Sequence, residues 1–327
     1  MAQPSIKSWF KSGSPWVWLS AAAVSTSLIM VFGLLILIAV RGLGYFWPAD
    51  VLEIEHREAD SRIVRIIGEV QGREDVTAER IRSAGGKVAE GVESVERLLL
   101  KIGNRDIGGL DFRWVNRPDV VSEKHPEAML AVERREWGNL YGYLVAVKQQ
   151  GKVIAEDEAA WDVLLERIER TNQLFADIRD IQHGDIGAIN YQIEELRLEK
   201  RGLELDGVKD SAPYQDIERR RETLNKQYLV LQKQLEALYR DIERDSMVVR
   251  VADGQLVEVS LSKVVRAFRP NAMGVFAKSL HYAEKLWEFV SDEPREANTE
   301  GGIFPAIFGT VLMVIIMSIL VTPFGVI

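Results

Sequence analysis

His56, His125, His183 and His281 are the four histidines of this 327-residue chain, and no two of them stand at the spacing that a pair of metal ligands needs. They read as surface or structural histidines. Cysteine is absent, which removes disulfides, thiolate metal sites and a cysteine nucleophile from consideration. Gly85-Gly86-Lys87 has the glycines and lysine of a phosphate cradle but not the rest of such a loop, so the chain is not expected to hydrolyse nucleotide itself. Glu194-Glu195 is a carboxylate pair without the apolar pocket that tunes an acid and a base apart. Arg134-Arg135, Arg219-Arg220-Arg221 and Arg266 with Arg269 are short basic clusters in acidic surroundings, where ion pairing is the expected role and nucleic-acid binding is not. No catalytic, cofactor-binding or metal-binding residue is assigned, and the chain is expected not to be an enzyme.

The elements that would position any site begin with two apolar stretches. From Ile303 to Ile327 there is no charged residue, a length sufficient at ~1.5 Å rise per residue to cross the ~30 Å hydrocarbon core of a bilayer. Pro305, Gly309, Ser318, Pro323 and Gly325 interrupt it, a pattern that suits packing against neighbouring helices and would serve a lone anchor little. The first stretch covers Trp16 to Val40, with Trp16 and Trp18 at one end and Tyr45, Phe46 and Trp47 beyond the other, where aromatic residues meet the membrane interfaces. Lys7 and Lys11 before it also suit a cleaved signal peptide, but the stretch is longer than the ~7–15 apolar residues of such a leader and no small-residue cleavage site closes it. It is expected to be an anchor. Lys7, Lys11 and the terminal amine against Arg41 predict a cytoplasmic amino terminus over residues 1–15 and a middle region outside the cytoplasm.

Asn298-Thr299-Glu300-Gly301-Gly302, the Pro305-Ala306-Ile307-Phe308-Gly309-Thr310 run, Thr322-Pro323 with Gly325, and the upstream Arg41-Gly42-Leu43-Gly44 resemble the flanks of the first two transmembrane helices of a phosphate ABC transporter permease of the PstA type. The order of segments is similar to that of the long form of this family, which carries a large domain between those helices. The family continues into further spans and a cytoplasmic coupling loop with a Glu-Ala-Ala signature, so the chain resembles the amino-terminal part of such a permease. What the resemblance implies is a subunit of an ATP-driven importer in the bacterial inner membrane. Its partners would be a second permease subunit, cytoplasmic ATPase subunits and a periplasmic phosphate-binding protein. The resemblance makes Asn298, Thr299, Glu300, Gly301 and Gly302 the periplasmic mouth of the second span, and names no phosphate-selecting residue.

Between the apolar stretches, residues 50–293 are strongly polar and long enough for a core of their own. Val51–Glu55, Ile63–Val70, Glu96–Ile102 and Asp111–Val115 predict strands, with a short helix from Thr77 through Ile81. Met129–Trp137, Leu140–Val147 and Lys152–Ala155 predict a meander. From Glu156 to Asp245 the apolar residues follow three-four spacing, with a phase slip near His183-Gly184, a break from Asp206-Gly207 to Ala212-Pro213, and a heptad from Ile217 to Ile242 in which only Arg221 is out of type. This predicts an antiparallel coiled-coil hairpin. It holds 22 acidic and 14 basic residues, so its imbalance of −8 equals the net charge of the whole chain. A solvated face is the plain meaning of those charges; a docking arm is the other. Met247–Ala252 and Gln255–Val259 flank Asp253-Gly254 as a β-hairpin, so the arm is expected to be inserted into one α+β domain. Val275 to Val290 predicts an amphipathic helix with Trp287 and Phe289, set either on the membrane surface or against the domain core.

The expected architecture is a membrane protein: two transmembrane helices, 16–40 and 303–327, flanking an extracytoplasmic α+β domain with a long antiparallel coiled-coil hairpin over 156–245. Two functions are open. One is a permease subunit forming part of a phosphate path through the lipid bilayer; the other is a membrane-anchored periplasmic sensor or scaffold acting through its arm. Sequence beyond Ile327 would separate them, further spans favouring the first.

Overall fold

The computed structural model describes residues 13–58, 60–83, 85, 88–89, 91–295 and 301–325. Two compact units result, one formed by residues up to 48 with 274–292 and 303 onward, the other by 49–273 with 293–302.

In the first unit, α1 (Ser14–Gly44) and α8 (Phe304–Gly325) are long and apolar enough to cross a membrane, and neither is buried within the chain. α1 runs further at both ends than the 16–40 expected, because nothing from Ser14 to Gly44 breaks a helix after the Pro at its first turn. α7 (Val275–Ser291) belongs to this unit as well.

The second unit is α+β, built of two sheets whose strands are all antiparallel. β1 (Val51–Arg57), β2 (Ile63–Thr77), β3 (Ser94–Lys101), β4 (Phe112–Asn116) and β5 (Val120–Lys124) form one sheet in the order β4-β3-β2-β1-β5. Two short helices, α2 (Ala78–Ser83) and α3 (Arg105–Gly108), interrupt their sequence. β6 (Leu130–Arg134), β7 (Leu140–Gln149), β8 (Lys152–Glu156), β9 (Asp245–Arg250), β10 (Leu256–Ser260) and β11 (Val264–Phe268) form the other, in the order β10-β9-β7-β6-β11 with β8 also on β7.

Period-two alternation along β6 sets the layers. Leu130 and Val132 join Leu140, Val147, Met247 and Val249 under the first turns of α4 (Ala159–Arg179), whose Ala160, Leu164 and Ile168 cover that face. Met129 and Ala131 point the other way, against Val51 and Ile67 of the first sheet and around the fully buried Tyr141. The six-stranded sheet is thus the middle layer between a helix and the five-stranded sheet. Gly142 allows the close pairing of β7 with β9, since a Cβ there would stand 2.6 Å from the Arg250 carbonyl oxygen.

Most strands fall where alternation predicts them; β2 continues seven residues past Val70, through a bulge that lets it pair with the whole of β3. The stretch 129–137 is a strand only to Arg134, because Trp137 and Gly138 both take positive φ in the turn to β7. Thr77 ends β2, and the helix after it starts at Ala78. β5 and β11 were not expected. β5 is half polar, and β11 carries Arg266 and a register shift in its middle, so neither alternates cleanly.

The helical arm leaves the sheet after β8 and returns at β9, both neighbours of β7. Its outgoing limb is α4, a π-helical stretch Asp180–Asp185 and α5 (Ile186–Leu205); the returning limb is α6 (Ala212–Ile242). The π stretch lies at the phase slip of the apolar pattern: its i→i+5 bonding takes in one extra residue and turns the apolar face back toward the partner limb. The limbs run antiparallel, as the pairs Gln182–Tyr239, Lys200–Glu218 and Arg220–Glu199 require. Ile178, Ile181, Leu235 and Ile242 fill the proximal half, and Ile189, Leu196, Ile217 and Leu224 the distal half. At the tip, Gly207 takes φ 69°, and Asp210 Oδ1 accepts from the amide of Ala212 at 3.1 Å to start the return.

Candidate functional site

Of the five residues assigned to the mouth of the second apolar helix, Asn298, Thr299 and Glu300 lie outside the described residues. Gly301 and Gly302 are described. The Gly302 amide donates to the Glu293 carbonyl at 3.1 Å. A Cβ on Gly301 would stand 2.6 Å from the Arg295 backbone nitrogen, so the position requires glycine because of close approach and not because of an unusual φ. In the other unit, the amides of Ile303 and Phe304 donate to the carbonyls of Phe289 (2.9 Å) and Asp292 (3.2 Å), tying the start of α8 to the end of α7. The polar groups inside α8 satisfy themselves locally: Thr310 Oγ1 donates to the Ala306 carbonyl and Ser318 Oγ to that of Val314, both at 2.7 Å.

Charged or hydroxyl groups with buried members meet at the arm root, under the β6–β7 turn and at Tyr143, and at each the partners explain one another. At the root of the arm, the Asp245 carboxylate is fully buried and receives Arg170 at 3.2 Å and Arg244 at 3.1 Å. Under the β6–β7 turn, Arg134 is buried and forks onto Asp106 at 2.8 and 2.9 Å while also donating to the carbonyls of Trp137 and Gly138. Burial works against ionisation of Asp106, but the hydrogen bonds and charge of Arg134 outweigh it and hold that carboxyl below its ordinary value. Between the sheets, Tyr143 donates its hydroxyl to Glu53, which also meets Arg65 at 3.3 Å. Burial, then the bond to Glu53, push the Tyr143 phenol far above its ordinary value. It is a fixed donor.

Of the basic clusters, Arg134 and the Arg219–Arg221 run are ion-paired as expected, whereas Arg135 meets an amide and a ring and Arg269 a ring. Arg135 donates to Asn172 at 2.7 Å and stacks over the Phe175 ring at 3.6 Å. Arg219, Arg220 and Arg221 pair with Asp216, Glu199 and Glu218 along the arm. Arg269 lies 4.3 Å over the Trp161 ring. Glu194, of the carboxylate pair, forks with Arg197, whose hydrogen bonds hold it below its ordinary value. His56 is buried with Nδ1 3.7 Å from Glu58, His281 is buried, and His125 and His183 are exposed. Among the described residues no three histidine, aspartate or glutamate side chains could hold a metal ion.

An open cleft of ≈ 570 Å³ lies at the arm root, lined by Gln150, Arg240, Arg244, Ser246, Glu258 and Ser260. Lys148 and then Ser246 hydrogen-bond Glu258 and keep its carboxyl below the ordinary range. Sequence reading did not single out this cleft, whose residues come from three separated segments. Its lining is polar and charged. No protein-family model, no curated protein and no solved structure matches the chain.

Proposed function

We propose that the chain is a permease subunit of an ATP-driven phosphate importer in a bacterial inner membrane, with its amino terminus in the cytoplasm and its α+β domain in the periplasm. The observation that carries this reading is α8. It is unburied from Phe304 to Thr322, satisfies its own hydroxyls, and is punctuated by Pro305, Gly309 and Ser318, a composition suited to close packing with other membrane helices. The resemblance of its flanks to the PstA-type permease supplies the substrate class and the partners: a second permease subunit, cytoplasmic ATPase subunits and a periplasmic phosphate-binding protein. The helical arm is a coiled-coil hairpin standing outside the phosphate path. With 22 acidic against 14 basic residues it repels an anion, although only within the ~8 Å over which charge acts at physiological salt.

A second reading rests on one feature of the arm. Tyr191, Leu198 and Leu205 recur every seventh residue on the outer face of α5, opposite the packed Ile189 and Leu196, and are 67%, 58% and 73% exposed. A membrane-anchored periplasmic scaffold would use such a stripe to hold a partner helix.

Uptake of labelled phosphate in cells carrying the intact gene separates the two. Replacing the outer arm, Ile186 to Gln234, by a short linker is expected to leave measurable uptake, whereas Gly301→Val or Gly302→Trp lowers it sharply. Gene disruption that leaves phosphate uptake unchanged sinks the transport reading. Loss of uptake on shortening an arm that still inserts and assembles moves the mechanism to the arm.

A further inference from the structure

The apolar side of α7 is turned away from the elements that hold it. Its last turns are tied to both apolar helices: the Phe289 ring meets Phe46 at 4.8 Å between centroids, Tyr282 meets Trp47 at 6.1 Å, and the Phe289 and Asp292 carbonyls accept the first amides leading into α8. Tyr282 and Phe289 therefore face the carboxyl end of α1, and on the same broad side His281 and Lys285 are buried. The opposite side carries Phe276, Leu280, Ala283 and Trp287, spaced four, three and four residues apart, one stripe of a 3.6-residue helix. Phe276 is 84%, Leu280 56% and Trp287 73% exposed. This inverts the usual surface helix, in which the apolar stripe is covered and the cationic side chain is free.

We infer that α7 lies along the bilayer surface, with Phe276, Leu280 and Trp287 in the boundary between lipid headgroups and acyl chains. The inference rests on the reading of α1 and α8 as membrane spans. Given that reading, the end of α1 and the start of α8 lie at one membrane face, and α7 is fastened to both of these ends. Its stripe runs ~16 Å from Phe276 to Trp287, eleven steps of helical rise. Trp287 has the amphipathic ring that favours the headgroup level, and Glu284 is exposed on the stripe's flank, where it stays in water. The occupant is the lipid surface itself, because the stripe is narrow, is interrupted by no charge and belongs to a helix whose carboxyl end is tied to the ends of both spans.

The chain has no cysteine, so single cysteines can be introduced and labelled with an environment-sensitive fluorophore. The full chain would be reconstituted in phosphatidylcholine–phosphatidylglycerol vesicles as Phe276→Cys, Leu280→Cys, Trp287→Cys, Glu284→Cys or Ile315→Cys. A nitroxide lipid labelled near the headgroup is expected to quench the three stripe positions about twofold or more beyond Glu284→Cys, as interfacial depth requires. A mid-chain nitroxide quenches Ile315→Cys. If Ile315→Cys is quenched while the stripe positions remain open to a water-soluble quencher, the interfacial helix is wrong and the spans stand. If Ile315→Cys is not quenched either, the spanning reading falls first. Stripe positions shielded from both lipid-borne and water-soluble quenchers face protein, and that result also overturns the lipid contact.

Discussion

Arg170 of α4 and Asp245, the first residue of β9, join the outgoing limb of the arm to the strand on which it returns, Nη1 to Oδ2 at 3.2 Å with the carboxylate fully buried. Arg244 completes the group at 3.1 Å. A carboxylate without water is stable only with such partners, and here it fixes how the arm leaves the sheet. Asp245→Ala leaves Arg244 without its acid and Arg170 with only the longer contact to Asp241 at 3.9 Å, both guanidinium groups being largely covered. The full chain in detergent is expected to lose ~3 kcal/mol, since breaking a buried pair costs far more than replacing it whole. A chemical denaturation midpoint indistinguishable from the parent would show that the root is held by other contacts.

Asp106 makes stability depend on acid. Its carboxyl is burdened by burial, yet Arg134 holds it below the ordinary 3.8. The unfolded chain therefore takes up the proton first as pH falls. The stabilisation is complete above 3.8 and is lost as pH drops through that value toward the lower folded one. Asp106→Asn, which cannot ionise, is expected to melt lower at neutral pH and to lose less on acidification. Parallel melting curves against pH for the two proteins would remove Asp106 from the acid response.

Along the arm, position decides sensitivity. Leu235 is buried between the limbs with Ile178, Ile181 and Ile242, so Leu235→Ala is expected to cost ~2–5 kcal/mol. Glu222→Gln, on an exposed position of the same helix, is expected to change stability by less than ~0.5 kcal/mol. Thermal melts that rank them in the reverse order would rule out a packed seam at this level.

Topology is tested at the arm tip. Gly207 is exposed in a turn that takes insertions without disturbing either limb. With Lys7 and Lys11 ahead of α1, a reporter that works only in the periplasm is expected to be active when inserted there. Activity from a cytoplasm-only reporter at the same position would reverse the orientation and with it the assignment of the α+β domain.

Local pattern was enough wherever one residue's neighbours along the chain decide its state. The two apolar helices, the alternating strands, the Asp253-Gly254 turn and the two limbs of the arm depend on periodicity and turn chemistry, which are written in consecutive residues. Even the π stretch at Asp180–Asp185 showed itself as a slip in the apolar spacing. Tertiary structure alone decided what joins across distance. β5 and β11 are strands because β1 and β6 offer them an edge, not because their own residues alternate. Arg134 finds Asp106 twenty-eight positions away through the packing of two sheets, and Tyr143 finds Glu53 ninety away. For α7, periodicity defined an apolar stripe but not its direction. That direction followed from Phe46 and Trp47, whose rings claim the opposite side of the helix, so the stripe is left facing outward.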